Sequence, residues 1–200
     1  MANALETAEE VLESRLRDYR GSLDLLAGHE ALKAAAEAAE LIWDVICSGG
    51  KTIFFGNGGS SMDAGHLAAE LLGRFYFERP AIAALSLADV TAAVTAIGND
   101  YGYEYAFSRQ LEGVGHVNDV AIGLSTSGNS PNVVNAFAVA REKGLRTVAL
   151  TGSGGGRVAA MADVLVAVPS SDTPRVQEMC MHIGHSICEY VEARWLASAL

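Results

Sequence analysis

Positive charge is scarce in this chain. Its 200 residues carry 14 Lys and Arg against 24 Asp and Glu, a net charge of −10 with an isoelectric point near 4.9. No Lys/Arg cluster occurs along it, whereas a nucleic-acid binder needs a basic face to neutralise phosphates; no nucleic-acid partner is expected. Long apolar runs are missing too, none approaching the roughly 18 residues of a membrane span. The N-terminal MANALETAEEVLESRL is acidic and amphipathic, without the basic-then-apolar order of a secretory leader. Cysteine is limited to Cys47, Cys180 and Cys188, odd in number and without CxxC spacing. These read as reduced, mostly core thiols of a cytoplasmic protein.

Two familiar phosphate motifs are absent as well. Gly50-Lys51-Thr52 has the ending of a P-loop, but Val45 stands where that pattern needs its first glycine, and the triplet precedes a strand instead of following one. The dinucleotide fingerprint GxGxxG starts at Gly56 and Gly58 and meets Ser61; it starts again at Gly152 and Gly154 and meets Arg157. No nucleotide cofactor is expected.

What is present is a rhythm. After two amphipathic segments, about Leu5–Arg20 and His29–Cys47, strand-like apolar runs appear at Thr52–Phe55, Ala81–Ser86, Val120–Leu124, Thr147–Leu150 and Val164–Val168. Segments of helical period lie between most of them, at Ser60–Phe75, Val90–Gly98, Glu104–Glu112 and Pro131–Lys143, with Gly144 as a C-cap. Arg175–Leu200 reads as one closing helix. Short apolar strands alternating with helices predict a parallel sheet covered on both faces. With no linker interrupting it, the chain reads as one α/β domain, doubly wound: five strands, two N-terminal helices and a long C-terminal helix.

In such sheets ligands bind beyond the carboxyl ends of the strands. Three of the predicted strands end in Gly/Ser/Thr turns: GNGGSS after Phe55, STSGNS after Leu124 and TGSGGG after Leu150. STSGNS packs four hydroxyls (Ser125, Thr126, Ser127, Ser130) into six residues ahead of Pro131, a suitable first helical residue. A simple N-cap would use only one of them. A phosphate would use all, together with the unpaired N–H groups and positive dipole end of the helix.

The helix after GNGGSS carries Asp63, His66 and Glu70 along one face. His66 and Glu70, at i and i+4, can share a metal ion as in HExxH proteins; the alternative is a surface ion pair. His185, with Gln177 eight residues earlier, lies on the closing helix, where a histidine can equally be a core residue. Asn99-Asp100-Tyr101-Gly102 is a turn signal that could also offer Asp100 to a sugar hydroxyl. Arg74 can pair with an acid or reach substrate, and Asp172 can be a helix cap. His29, His116 and His182 receive no role.

GNGGS…DAxHxAxE, GND, STSGNS and RxQE followed by His, in this order over nearly the whole chain, resemble the sedoheptulose 7-phosphate isomerases of the SIS (sugar isomerase) domain superfamily. The resemblance implies a homotetramer in which residues 1–50 serve oligomerisation and residues 51–200 form the sugar-phosphate core. It implies an aldose–ketose isomerase interconverting sedoheptulose 7-phosphate and D-glycero-D-manno-heptose 7-phosphate, a precursor step for lipopolysaccharide-type glycans. It carries the base to Glu70 and the acid to His185. Zinc, one per subunit, is implied at His66, Glu70, Gln177 and His185. Substrate contacts are implied at Asn57, Gly58, Gly59, Ser60, Glu70, Asn99, Asp100, Ser125, Thr126, Ser127, Ser130 and Gln177. Many members carry two consecutive glutamates where this chain has Ala69-Glu70, the retained one standing at the base position. Competing expectations are an isomerase of another sugar phosphate and a non-catalytic SIS assembly or regulatory factor.

Overall fold

The structure, a computed structural model, describes residues 7–28 and 30–198. Leu5, His29 and Leu200, at ends of predicted helices, lie outside the described residues. Helix α1 (Ala8–Leu26) opens with a capping box between Thr7 and Glu10 and continues past the expected stop at Arg20. Only Ser22 and Leu26 of it are buried, while Val11, Leu12, Leu16 and Leu25 face outward. Helix α2 (Glu30–Cys47) is different, burying nine side chains including Ile42, Trp43 and Ile46. It ends where Gly49 adopts a φ of +77°, as the Gly49-Gly50 pair predicted.

Five strands follow: β1 (Thr52–Gly56), β2 (Ala84–Ser86), β3 (Val120–Ser125), β4 (Arg146–Thr151) and β5 (Val164–Ala167). All pair in parallel in the order β2-β1-β3-β4-β5. The interleaved helices are α3 (Gly59–Leu72), α4 (Thr91–Asp100), α5 (Ser108–Val114), α6 (Pro131–Glu142) and α7 (Thr173–Ser198). Three local expectations shift. β2 pairs over only three residues, and just before it the Ile82 N–H is taken by Leu71 O at the end of α3. Asn99 and Asp100, read as a turn, are the last residues of α4. Glu104–Glu112 divides into a 3-10 turn at Tyr103–Tyr105 and the short α5.

Side chains along the strands alternate between two cores. Phe54, Ile122, Leu124, Val148, Leu150 and Val166 pack with α2, α3 and α7. Ile53, Phe55, Ala121 and Ala149 pack with α5 and α6 on the other face. The two-sided burial explains strands that read as unbroken apolar runs, and each fully buried Phe, Leu or Ile contributes about 1.5–3 kcal/mol. Central strand β3 keeps a glycine because the Phe137 ring lies on it: a Cβ at Gly123 would stand 2.3 Å from Phe137 Cε2.

This topology positions the site. Consecutive strands β1 and β2 run to one side, and the chain crosses back to place β3 beside β1. The connections after β1 and β3 therefore leave in opposite directions and open a crevice between them, the usual ligand position in such sheets.

Candidate active site

Asn57–Ser60 and Ser125–Ser130 flank that crevice. A double amide bridge joins the two sides: Asn57 Nδ2 donates to Asn132 Oδ1 at 2.8 Å, and Asn132 Nδ2 donates to Asn57 Oδ1 at 2.8 Å. Tyr103 Oη also donates to Asn57 Oδ1, at 2.8 Å. With both acceptor positions of Asn57 used, one N–H remains for a ligand, and the residue chiefly fixes the turn. Neither Asn132 nor Tyr103 carried a sequence signal, since no local pattern marks a partner on another element.

Ser130 is the N-cap of α6, yet its side chain makes no capping bond. Its Oγ instead lies 3.1 Å from Ser125 Oγ. Ser125 is buried, Thr126 and Ser130 are half-buried and Ser127 is exposed, so the hydroxyls line a graded path from the sheet edge to solvent. The loop is held from outside. Val158 N–H donates to Gly128 O at 3.1 Å, Arg157 N–H to Asn129 Oδ1 at 3.0 Å and Gly152 N–H to Thr126 O at 3.0 Å. TGSGGG thus buttresses STSGNS. Rigid hydroxyls at a helix N-terminus form a cradle suited to a phosphate without any Lys or Arg in the loop.

Ser60, Asp63, Ser125, Thr126, Gln177 and Cys180 line a narrow cleft together, so α7 meets α3 and the cradle. Gln177 lies against the start of α3, where a Cβ at Gly59 would be 2.6 Å from its Nε2. Asp63 lies on the same α3 face, one turn before His66. Burial pushes its carboxyl above the ordinary value, opposed by His66. Cys180 behind it is pushed up to about 12, by burial and then by Asp63.

Further along α3 and α7, three predicted groups converge. His66 Nε2 stands 2.9 Å from His185 Nε2 and 3.1 Å from Glu70 Oε1. One ligand atom from each of His66, Glu70 and His185 lies within 4.8 Å of the others. Helical i, i+4 spacing brings the first two together; the packing of α7 on α3 brings the third. Two imidazole nitrogens this close require a proton or a cation between them. A tetrahedral zinc with bonds of about 2.0–2.1 Å separates its ligand atoms by about 3.3 Å, so the N/O donor set fits such an ion. The Phe75 ring, 5.8 Å from that of His185, closes one side.

The remaining predicted residues are less engaged. Gly58, the N-cap of α3, and Gly59, its first residue, are both exposed. Asn99 and Asp100 are exposed, joined to each other at 2.7 Å, and make no hydrogen bond to the other site residues. Arg74 faces solvent beside Glu78, at 3.9 Å. Asp172 immediately precedes α7, its carbonyl accepting Val176 N–H.

Comparison with known proteins agrees with this architecture. The SIS domain family pattern matches residues 23–152. A phosphoheptose isomerase of Sulfurimonas denitrificans is 58% identical over 142 residues, covering 71% of this chain and 73% of its own. One from Bradyrhizobium sp. (strain ORS 278) is 42% identical over 200 residues, all of both chains. The solved phosphoheptose isomerase of Neisseria gonorrhoeae is 37% identical and superposes with a TM-score of 0.88, over 94% of this chain and 100% of that one. The chain belongs to the phosphoheptose isomerase family of SIS-domain proteins.

Proposed function

We infer that this protein isomerises sedoheptulose 7-phosphate to D-glycero-D-manno-heptose 7-phosphate through an enediol. The observation that carries this is the convergence of His66, Glu70 and His185 on the helix pair whose first turns line the cleft with the phosphate cradle. Ser60 and His66 are six residues apart on α3, about 9 Å along the axis, a span that suits an extended sugar held by its terminal phosphate.

In this reading Ser125, Thr126, Ser127, Ser130 and the α6 N-terminus hold the phosphate. Gly58, Gly59, Ser60, Gln177 and the remaining Asn57 N–H take the sugar oxygens, and Asn99 and Asp100 meet the substrate from α4. Glu70 removes the proton from C1 of the ketose and returns it at C2. His185 donates a proton to O2 and accepts the one from O1, which leaves the aldose. His66, Glu70, Gln177 and His185 would hold one zinc per subunit. When bound, that ion supplies Lewis-acid polarisation of the carbonyl. Activity follows from orientation as much as from acid–base chemistry, since a carboxylate and an imidazole on separate helices must bracket two adjacent carbons.

We also read residues 1–50 as the assembly region of a homotetramer, acting in the cytoplasm as the step toward heptose-containing glycans. Support comes from the exposed apolar side chains Val11, Leu12, Leu16 and Leu25 on α1, and from three free cysteines. No described helix is long and apolar enough to cross a membrane.

The test is a panel of C5 to C7 ketose phosphates with product identification. Turnover greatest for sedoheptulose 7-phosphate is the expected result. Preference for a shorter ketose would transfer the assignment to another sugar phosphate. No turnover, with specific binding to another protein, would support the regulatory alternative.

A further inference from the structure

Among the ion pairs of the described residues, Arg79–Glu192 is the most deeply buried, each side chain being 1% exposed. The partners are 113 residues apart, with Nε to Oε1 at 3.1 Å. A buried ion pair gains little over well-packed apolar groups, so its presence calls for a reason beyond stability. Its hydrogen bonds indicate one. Arg79 Nη2 donates to the carbonyl oxygen of Glu70 at 2.8 Å, and Nη1 to those of Leu71 at 2.8 Å and Gly73 at 3.3 Å. These are C-terminal carbonyls of α3, which an ending helix leaves unpaired. Glu192 accepts the next amides of the chain: Phe75 N–H at 2.8 Å, Tyr76 N–H at 2.6 Å and Phe77 N–H at 3.1 Å.

Both ends of this bolt lead back to the site. Glu70, whose backbone Arg79 grips, is the inferred base. Glu192 lies seven residues beyond His185 on α7, two turns along the same face. On the other side of the triad, Gly184 lets α7 approach α3 so closely that a Cβ there would stand 2.7 Å from both Cδ atoms of Leu67. Gly184 adjoins His185, and Leu67 adjoins His66. The triad is therefore bracketed by a close helix contact and by a charged bolt.

We propose that Arg79 and Glu192 are positioning residues, holding the last turn of α3 against α7 so that Glu70 stays registered on His185. This rests on the assignment of Glu70 and His185 as base and acid. Phe75, anchored through its N–H to Glu192, is held by the same contacts against the His185 ring.

The experiment compares Glu192→Gln and Arg79→Lys with the wild-type chain and with Asp119→Asn. The last breaks a half-buried pair with Lys51 at the amino end of the sheet, away from the site. For Glu192→Gln, kcat is expected to fall about tenfold or more, since small misplacements of reacting groups are costly. KM should change by less than about threefold, because the phosphate loops are untouched. Zinc affinity, measured by chelator competition, should weaken by about 10–100-fold. Arg79→Lys keeps the charge but not the carbonyl contacts and should lose kcat less steeply. Asp119→Asn should melt earlier yet keep kcat. A merely structural pair would make Glu192→Gln behave like Asp119→Asn. Wild-type kcat and zinc affinity in Glu192→Gln, or in Arg79→Lys where the former does not fold, would overturn the proposal. An inactive wild-type chain would instead sink the isomerase assignment, and zinc affinity would then decide the bolt alone.

Discussion

Gly128→Ala probes the phosphate cradle through a single methyl group. Gly128 sits in the left-handed region at φ +64°, and an added Cβ would stand 1.9 Å from Gly155 O and 2.5 Å from Gly155 C. Both obstacles are backbone, and Gly155 itself has a φ of +71° in a loop already tied to this one by the Val158-to-Gly128 hydrogen bond. The left-handed conformation costs an alanine about 1–2 kcal/mol, and overpacking adds about 1–3 kcal/mol. The sum, about 2–5 kcal/mol, corresponds to a Tm loss of about 4–20 °C for a chain of this size. Relief requires the STSGNS and TGSGGG loops to part by more than about 1 Å, a displacement that costs bound geometry about 10²-fold. KM for the sugar phosphate should rise accordingly, with affinity for inorganic phosphate falling in parallel. Gly154→Ala supplies the comparison: it has a φ of +86° but nothing within 4 Å of a Cβ. That variant should show only the conformational cost, with KM unchanged. Steady-state kinetics and thermal melts on the two variants separate strain from displacement. A Gly128→Ala protein with wild-type KM and phosphate affinity would refute the cradle.

Glu70→Gln should lower kcat by about 10²–10⁴ while leaving circular dichroism and assembly state unchanged; wild-type turnover would reassign the base. Exhaustive chelation should reduce activity by at least about 10²-fold, with zinc restoring it; activity indifferent to both treatments would leave the triad without a catalytic metal. Native protein should offer one thiol, Cys47, to a thiol reagent at mildly alkaline pH, and three after denaturation, because Cys180 and Cys188 are buried. Burial pushes both thiols up from 9.0 to about 12, with Asp63 adding to the shift of Cys180 and Glu70 to that of Cys188. The folded chain keeps these protons while the unfolded chain releases them near pH 9, so stability should fall as pH rises from 9 toward 12. A Tm flat across that window would contradict the assigned burial.

The parts legible in the sequence are those governed by neighbours along the chain. Apolar runs, glycine stops and helical spacing depend on local backbone geometry, so the alternation of strands and helices, the Ser125–Ser130 loop and the i, i+4 pair of His66 and Glu70 could be read directly. The local errors have local reasons too. Asn99-Asp100 carries turn residues, yet the α4 backbone continues through them to Tyr101, whose N–H closes on Ile97 O. Ala81–Ala83 have strand-forming neighbours, but the Ile82 amide is taken by Leu71 O at the end of α3, and the register with β1 runs only from Ala84 to Ser86.

Tertiary structure decided which distant pieces meet. The order β2-β1-β3-β4-β5 sets the GNGGSS and STSGNS turns on either side of one crevice, and nothing in either turn encodes the other. His185 reaches His66 only because Gly184 admits Leu67 and because Arg79 and Glu192 close over the end of α3. The family resemblance marks Asn57, whereas nothing in the sequence marks its engagement by Asn132 and Tyr103. The physical reason is the same throughout. Periodicity reports the face a residue presents, while its partner is chosen by burial and hydrogen-bond satisfaction summed over the whole packed domain.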